Sequence, residues 1–163
     1  MLKQIAPLAA IAALFWVSGV IVQEAAASWH IPNPPRGIEV MAAGPSLEVG
    51  GSINIPTDKA VDCSGITVWA SDGKAVVAKT QAMKSDVGCS FGIMLPADTR
   101  VSLYAMADIS WFANNGLPEE SVINAHKPEF LCDGKPCAVK PDGLIVLTGK
   151  VQVNGLNLEL KAE

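Results

Sequence analysis

The sequence is poor in the side chains that perform catalysis and in those that bind nucleic acid. Only two of its 163 residues are histidine and 17% are charged, so acid–base chemistry has few candidates. The twelve lysine and arginine residues are scattered and the net charge is −4, whereas nucleic-acid binding requires clustered basic side chains. No Cys-x-x-Cys redox pair occurs, nor any Gly-rich phosphate loop. We therefore expect a non-catalytic protein without a cofactor and without a nucleic-acid partner.

The two histidines do not suggest a catalytic system. A Ser-His-Asp or Cys-His arrangement needs a base within hydrogen-bond reach of its nucleophile. His30 lies in a proline-rich segment, and His126 lies in the stretch Asn-Ala-His-Lys-Pro, which is typical of a surface loop. We expect neither histidine to act as a base.

Charge is missing altogether from Ile5 to Val22, a run of eighteen residues that follows Lys3. Ala25-Ala26-Ala27 before Ser28 has the small-residue pattern of a cleavage site, so residues 1–27 are predicted to be a signal peptide. The alternative is an uncleaved anchor, since residues 5–22 would form an apolar helix about 27 Å long. Either way, the chain from Ser28 onward is expected outside the cytoplasm, in the periplasm or extracellular space, free or tethered to the membrane.

Four cysteines, all beyond residue 60, fit an oxidising compartment. Three disulfide pairings are possible. The sequence Cys-Asp-Gly-Lys-Pro-Cys favours Cys132–Cys137, because an Asp-Gly turn brings these two residues together, and Cys63–Cys89 is then the second pair. A zinc site would need two close pairs and only one is present, so no metal is expected.

Beyond a proline-rich linker at residues 28–37, residues 38–163 are predicted to form one β domain. Apolar residues alternate with polar ones along several stretches, which is typical of half-buried strands. The predicted strands cover residues 47–55, 65–70, 75–83, 90–95 and 101–106. Ser71-Asp72-Gly73-Lys74 is predicted to be a turn, and Trp69 is expected in the core or on a sheet face.

The C-terminal region is predicted to form a β-hairpin. Asn154-Gly155 suits a two-residue type I′ turn, because both central residues of that turn take positive φ. This register pairs Val153 with Leu156, and Lys150 with Glu159 on the opposite face. A shift of one residue would lose both matches.

The alternation fails between residues 108 and 140, which are predicted to be an irregular insertion. Pro118-Glu119-Glu120 could begin one or two helical turns within it. Adjacent aromatic residues cannot both point inward from a regular strand, so one of Trp111 and Phe112 is expected to be exposed. An exposed aromatic ring near Asn114 and Asn115 could stack on a sugar or anchor a protein partner. These four residues are the candidate binding site, and packing of both rings onto the domain is the alternative.

The stretch from Leu47 to Ala105 resembles the carboxypeptidase-regulatory-like, or prealbumin-like, domain family. Ser64-Gly65-Ile66-Thr67-Val68 matches the family's Gly-x-x-Val strand. The run from Ser85 to Pro96 is similar to its pattern Thr/Ser-Asp-x-x-Gly-x-Phe-x-Ile-x-Leu-Pro, with Gly88 one position before the family's glycine, and Val101-Ser102-Leu103 continues it. The resemblance implies an all-β, Ig-like or prealbumin-like antiparallel sandwich of about seven strands, here preceded by an N-terminal apolar helix. It also implies a non-catalytic accessory or binding role.

Two functions from different classes fit these features. The first is an exported accessory or structural subunit that docks to a larger, membrane-associated protein assembly. The second is a secreted carbohydrate- or small-ligand-binding module that uses residues 108–140. The acidic composition and the scarcity of catalytic groups favour the first.

Overall fold

A computed structural model describes residues 37–117 and 127–160. The predicted signal peptide or anchor, nearly all of the linker, the Pro118-Glu119-Glu120 turn and His126 lie outside these ranges. Within them, no helix combines the length and the apolar character needed to span a bilayer.

The described ranges form an all-β fold with a single short α-helix, which confirms the predicted fold class at that level. The strands are β1 (Ile38–Ala42), β2 (Leu47–Asn54), β3 (Ile66–Ser71), β4 (Val76–Gln81), β5 (Met83–Ser85), β6 (Gly88–Leu95), β7 (Arg100–Ala107), β8 (Glu129–Cys132), β9 (Lys135–Pro136), β10 (Ala138–Val139), β11 (Ile145–Leu147) and β12 (Val151–Leu160). A 3-10 turn at Cys63–Gly65 precedes β3, and helix α1 (Ile109–Asn114) follows β7. The described residues thus form twelve strands where about seven were predicted for the domain, and most of the additional ones are only two or three residues long.

Hydrogen bonds connect the strands in two groups. In the first group the order is β4-β3-β7-β1-β11-β10, and in the second it is β5-β6-β2-β12-β8-β9.

The predicted turn at Ser71–Lys74 connects β3 to β4. The Asp72 carboxylate accepts hydrogen bonds from the backbone N–H groups of Lys74 and Ala75, at 2.8 and 2.9 Å. This turn is confirmed.

Strand β12 belongs to both groups. Its first half pairs in parallel with β2 and antiparallel with β8, and its last residues, Leu158–Leu160, pair in parallel with Ala105–Ala107 of β7. Strands β1 and β11 are also parallel. Most of the pairings are antiparallel, as predicted, and three are parallel, because the chain brings β11 and β12 back alongside earlier strands that run in the same direction.

The predicted C-terminal hairpin is also wrong. Asn154 and Gly155 lie inside the continuous strand β12, at a bulge where the pairing with β2 shifts register. Only Gly155 takes positive φ, at 72°, so the two positive angles of a type I′ turn are not present. The Gly155 N–H instead donates to Ser52 Oγ at 3.1 Å. The residues that a turn would have placed opposite each other pair instead with β2, β7 and β8. These three strands offer more hydrogen-bond partners than a lone hairpin.

One hydrophobic core lies under both strand groups, and the odd-numbered residues of β7 are central to it. Val101, Leu103 and Ala105 are at most 1% exposed, and Ala107 joins them in the same cluster. Strands β2, β3, β6 and β12 supply most of the remaining core residues, in the alternation that the sequence predicts.

Close contact between β2 and β12 depends on one glycine of the Gly50-Gly51 pair. A Cβ at Gly51 would lie 2.1 Å from the backbone oxygen of Val153, whereas a Cβ at Gly50 would meet nothing closer than Phe91 O at 3.6 Å. The backbone of Val153 cannot move aside without breaking the β2–β12 ladder. Gly51 is therefore required by the approach of the two strands.

We expect Gly51→Ala to lower the free energy of unfolding by about 3 kcal/mol, the upper end of the usual overpacking cost. The matched control Gly50→Ala should change it by less than about 1 kcal/mol, in the stabilising direction, because alanine restricts the unfolded chain more than glycine does. Urea unfolding of the two variants measures the difference. Equal midpoints would contradict the close approach.

Both predicted disulfides are present, so the predicted pairing is confirmed. Cys63 bonds to Cys89 across 26 residues of sequence, and Cys132 bonds to Cys137 across five.

The Asp-Gly turn between Cys132 and Cys137 is regular. Asp133 and Gly134 have φ of 52° and 76°, as a type I′ Asp-Gly turn requires. This turn connects β8 to β9, so part of the 108–140 region is regular rather than irregular. It is built into the sheet because β8 pairs with β12 and buries Phe130.

Candidate functional site

Trp111 and Phe112, the centre of the predicted binding site, are buried side chains of helix α1. Trp111 is 6% exposed and Phe112 is 1% exposed. Their rings meet edge to face, with centroids 5.2 Å apart. The expectation that one ring is exposed is wrong, because it assumed a strand. On a helix, neighbouring side chains lie about 100° apart rather than on opposite faces, so both can reach the core.

The loop before β3 holds this helix in place. Trp111 Nε1 donates to the backbone oxygen of Asp62 at 2.6 Å, and the Asn115 side chain accepts the Asp62 N–H at 3.0 Å. Asn115 also donates to Trp111 O at 2.8 Å. A Cβ at Gly65 would lie 2.1 Å from Trp111 Cδ1, so the indole lies directly against the 3-10 turn. These contacts give Trp111 and Asn115 a structural role, whereas Asn114 is exposed. Whether the segment also binds a partner stays a prediction.

The Asp62 carboxylate stabilises the same loop. It accepts hydrogen bonds from Ser64 Oγ at 2.7 Å and from the Ser64 N–H at 3.0 Å, and these bonds lower the pKa of Asp62 below its usual value. Cys63, between these two residues, forms the disulfide to Cys89. The disulfide, the 3-10 turn and Trp111 therefore form one structural unit.

A second cluster of large side chains lies on the side of β7 opposite the core. We call it the aromatic face; it comprises Trp69 of β3 together with Tyr104 and Met106 of β7. Trp69 lies directly opposite Tyr104 in the β3–β7 pairing, so the two side chains share one face. Tyr104 is 2% exposed and Met106 is 3% exposed, although neither belongs to the core cluster.

Charged residues border the aromatic face. Lys79 Nζ lies 5.6 Å from the centre of the Trp69 ring, within the range of a cation–π contact. Glu159 of β12 lies opposite Met106, and burial raises the pKa of its carboxyl group. The pKa of Tyr104 is raised as well, first by burial and then by the negative charge of Glu159. The Trp69 indole nitrogen is buried and has no hydrogen-bond acceptor in the part of the chain that the structure describes.

A small pocket lies beside Trp69, with a volume of about 90 Å³. Its lining comes from Gly65, Thr67, Trp69, Met106, Ala107 and Asp108. Ligand sites for small molecules usually measure about 300–1,000 Å³, so this pocket is too small to enclose a typical ligand.

A third surface is the edge formed by β4 and β5. Among the described strands, β4 pairs only with β3 and β5 pairs only with β6. Ala82 joins them and is 3% exposed, with its N–H donating to Ile66 O at 2.9 Å. Apolar side chains project from this edge and from the turn that follows it: Val76 (41% exposed), Val77 (38%), Met83 (63%) and Val87 (78%). We call this surface the β4–β5 edge.

This edge was not predicted from the sequence, because its apolar residues were assigned to an ordinary returning strand. The sequence features that could have indicated it are the Val76-Val77 pair, which breaks alternation, and the apolar Val87 within a turn.

Gly88-Cys89-Ser90-Phe91-Gly92 has the spacing of a nucleophile elbow. It lies inside the continuous strand β6, however, where Cys89 is oxidised and Ser90 Oγ donates to Met83 O at 3.4 Å. It therefore lacks the strand–turn–helix geometry of such an elbow.

No group of three or more potential metal ligands occurs within residues 37–117 and 127–160.

Arg100 bridges Glu39 and Asp142 at the surface and donates to the latter at 2.9 Å. The first of these contacts is the main cause of the raised pKa of Arg100. This exposed cluster joins β1, β7 and the turn before β11.

Comparisons of the chain with protein-family models, with curated proteins and with solved structures find no match.

Proposed function

We propose that the protein is a non-catalytic, exported accessory subunit that docks to a larger, membrane-associated protein assembly. The observation that carries this proposal is the β4–β5 edge. At this edge, two strands that lack a second neighbour among the described strands carry exposed valine and methionine side chains.

The chemistry of this edge suits an extended segment of a protein partner. An edge strand presents unpaired N–H and C=O groups, to which a further strand can add, and alternate side chains then set specificity. Soluble proteins commonly protect such edges with lysine, and Lys79 and Lys84 lie along β4 and β5. The exposed Met83 between them nevertheless leaves an adaptable apolar contact at the centre of the edge.

Export is supported by the two disulfides and by the uncharged run before them in the sequence. Disulfides persist in oxidising compartments and are rare in the cytosol. We further propose that the two strand groups face each other as a prealbumin-like sandwich, as the resemblance of residues 47–105 implies. The single core that draws on both groups supports this arrangement.

Photocrosslinking in the native cells tests the docking surface. A photoreactive side chain at position 83 is expected to give a discrete larger product in the membrane fraction, because Met83 lies on the edge. The same group at position 94 is the control, since Met94 is also exposed, at 56%, but lies opposite Glu48 of β2, beyond the part of β6 that pairs with β5. Equal products from both positions, or none from position 83, would contradict the proposal.

The alternative is a secreted carbohydrate- or small-ligand-binding module. The pocket beside Trp69 is the observation in its favour, because an indole ring next to polar groups suits a sugar. Its volume of about 90 Å³ makes it the weaker candidate. Retention of the protein on immobilised glycans, lost in Trp69→Ala, would favour this second function.

A further inference from the structure

The two disulfides differ in how a thiol from outside reaches them. Cys63 and Cys89 are 4% and 0% exposed, so the folded protein shields both of their sulfur atoms. Cys132 is half-buried and is followed by the exposed residues 133–136, whereas Cys137 is 7% exposed. Thiol–disulfide exchange begins when a thiolate attacks one sulfur of the pair. Cys132 therefore gives the second disulfide an accessible side while the protein stays folded.

The hairpin that carries this disulfide is also held by other contacts. The Asp133 N–H donates to Lys150 O, and the Asp133 carboxylate accepts the Lys150 N–H, both at 2.8 Å. Strand β8 pairs with β12 over four residues, and Phe130 of β8 is 5% exposed. The Cys137 N–H donates to Phe130 O at 2.9 Å. When the disulfide opens, these contacts keep the two sulfur atoms close together in a folded hairpin.

The surroundings of the Cys132 sulfur favour a thiolate. The Thr148 N–H donates to Cys132 Sγ, with the nitrogen 3.4 Å from the sulfur. Lys135 lies directly opposite Cys132 in the β8–β9 pairing and brings a positive charge to the same turn. Such neighbours raise the fraction of a cysteine that is thiolate at neutral pH, and a stabilised thiolate is also a better leaving group.

Other polar groups near the two disulfides are consistent with this difference. The Asp133 carboxylate, which is the negative charge of the turn, is already bound to the Lys150 N–H. A protonated Cys132 thiol can donate to Val146 O, which lies 3.7 Å from the sulfur. The Cys63 sulfur, by contrast, lies 3.8 Å from Gly88 O, and a carbonyl oxygen repels a thiolate.

We propose that Cys132 and Cys137 form a redox-active pair that is reduced by a dithiol of another protein. A thiolate of that dithiol attacks Cys132 Sγ, the Cys132–Cys137 bond breaks, and Cys137 leaves as a thiolate that takes up a proton. The second thiol of the partner then loses its proton and attacks the partner's own sulfur in the mixed disulfide, which releases Cys132 as a thiolate. The partner ends as a disulfide, and two electrons have passed to the pair.

In this scheme Cys132 is the exchanging cysteine and Cys137 is the resolving one, while Thr148 and Lys135 are positioning residues. The exchange is stoichiometric, so it goes beyond the accessory role proposed above without requiring a catalytic site. It also takes place away from the β4–β5 edge.

Two single-cysteine variants of the full chain test these roles, with oxidised glutathione as the probe. Cys137→Ala leaves Cys132 as a thiol, and Cys132→Ala leaves Cys137. At about pH 7 we expect Cys132 to form the mixed disulfide about tenfold faster than Cys137, because it is both more accessible and more often a thiolate. Intact-mass spectrometry follows the two rates.

A substitution at position 148 separates thiolate stabilisation from access. In the Cys137→Ala background, Thr148→Pro removes the N–H donor and should lower the rate at about pH 7 about fivefold. At about pH 10 the thiol ionises without help, so the rate there should not change. Thr148→Val keeps the N–H and is the matched control. Lys135→Gln should act in the same direction as Thr148→Pro, and it keeps the test valid if proline disturbs the loop.

Dithiothreitol, a small dithiol, tests the unsubstituted full chain. The Cys132–Cys137 disulfide should open about tenfold faster than Cys63–Cys89, because only the first has an accessible side. Peptide mapping after alkylation measures both rates. Urea unfolding of the product with one open disulfide should remain cooperative, since the hairpin keeps its other contacts.

Three results would overturn the proposal. The first is a reaction of Cys137 with glutathione disulfide as fast as that of Cys132. The second is an equal effect of Thr148→Pro and of Lys135→Gln at both pH values, which would mean that access alone sets the rate. The third is loss of cooperative unfolding when Cys132–Cys137 opens, which would make the disulfide purely structural. None of these results depends on crosslinking from position 83, so the two proposals fail separately.

Discussion

Trp111→Ala is expected to destabilise the fold by about 3–5 kcal/mol, the usual cost of removing a large buried aromatic side chain. The indole is 6% exposed, packs edge to face on Phe112 and donates to Asp62 O at 2.6 Å. Its removal leaves a cavity beneath the 3-10 turn and an unsatisfied carbonyl in the Asp62 loop. Thermal unfolding should show a midpoint lower by about 10 °C or more.

Asn114→Ala is the matched control, since Asn114 lies on the same helix and is exposed. It should change the free energy of unfolding by no more than about 0.5 kcal/mol. Trp111→Phe keeps a ring but loses the hydrogen bond to Asp62, and it should fall between the two. If Trp111→Ala kept its melting temperature but lost a binding partner, the ring would be a binding residue and not a core residue.

Removal of the Cys63–Cys89 disulfide is expected to cost more stability than removal of the Cys132–Cys137 disulfide. In the chain-entropy model, closing 26 residues constrains the unfolded chain by about 3.5 kcal/mol, and closing five residues by about 2 kcal/mol. Packing acts in the same direction, because Cys63 and Cys89 are 4% and 0% exposed whereas Cys132 is only half-buried.

The two double-alanine variants, measured by urea unfolding in the same buffer, give this comparison directly. Non-reducing peptide maps should show that each variant retains the other disulfide. A larger loss for Cys132→Ala/Cys137→Ala would contradict the ordering. Combining Trp111→Ala with loss of Cys63–Cys89 should cost less than the sum of the separate changes, because both act on the loop from Asp62 to Gly65.

The sequence was informative wherever a local rule determined the geometry. Alternation of apolar residues located β2, β3, β6 and β7, because each of these strands buries one face in the core. The Asp133-Gly134 turn located the small disulfide, because both residues accept positive φ. The Asp72-Gly73 turn was found for a related reason, through hydrogen bonds between the Asp72 side chain and nearby backbone.

Features set by distant partners could not be predicted. Asn154-Gly155 satisfies the local rule for a hairpin, but β2, β7 and β8 compete for the same residues and convert the turn into a bulge. Trp111 and Phe112 were assigned to an irregular segment, although six residues of helix suffice to bury both rings. The β4–β5 edge depends on which strands lack a second neighbour, and alternation within one strand carries no information about that.

The position of β12 constrains the order in which the molecule can be completed. It is the last of the described strands to be synthesised, yet it lies between β2 and β8 and beside β7. Strands β2 and β7 can find their other neighbours while β12 is still being made, but the two strand groups acquire their shared strand only afterwards. A chain that emerges N-terminus first, whether from a ribosome or from a translocation pore, therefore stays incompletely folded until residues 151–160 have passed. Under the export proposed above, this late closure would leave the polypeptide incompletely folded during transport, and the fold would reach its full stability only in the compartment where transport ends.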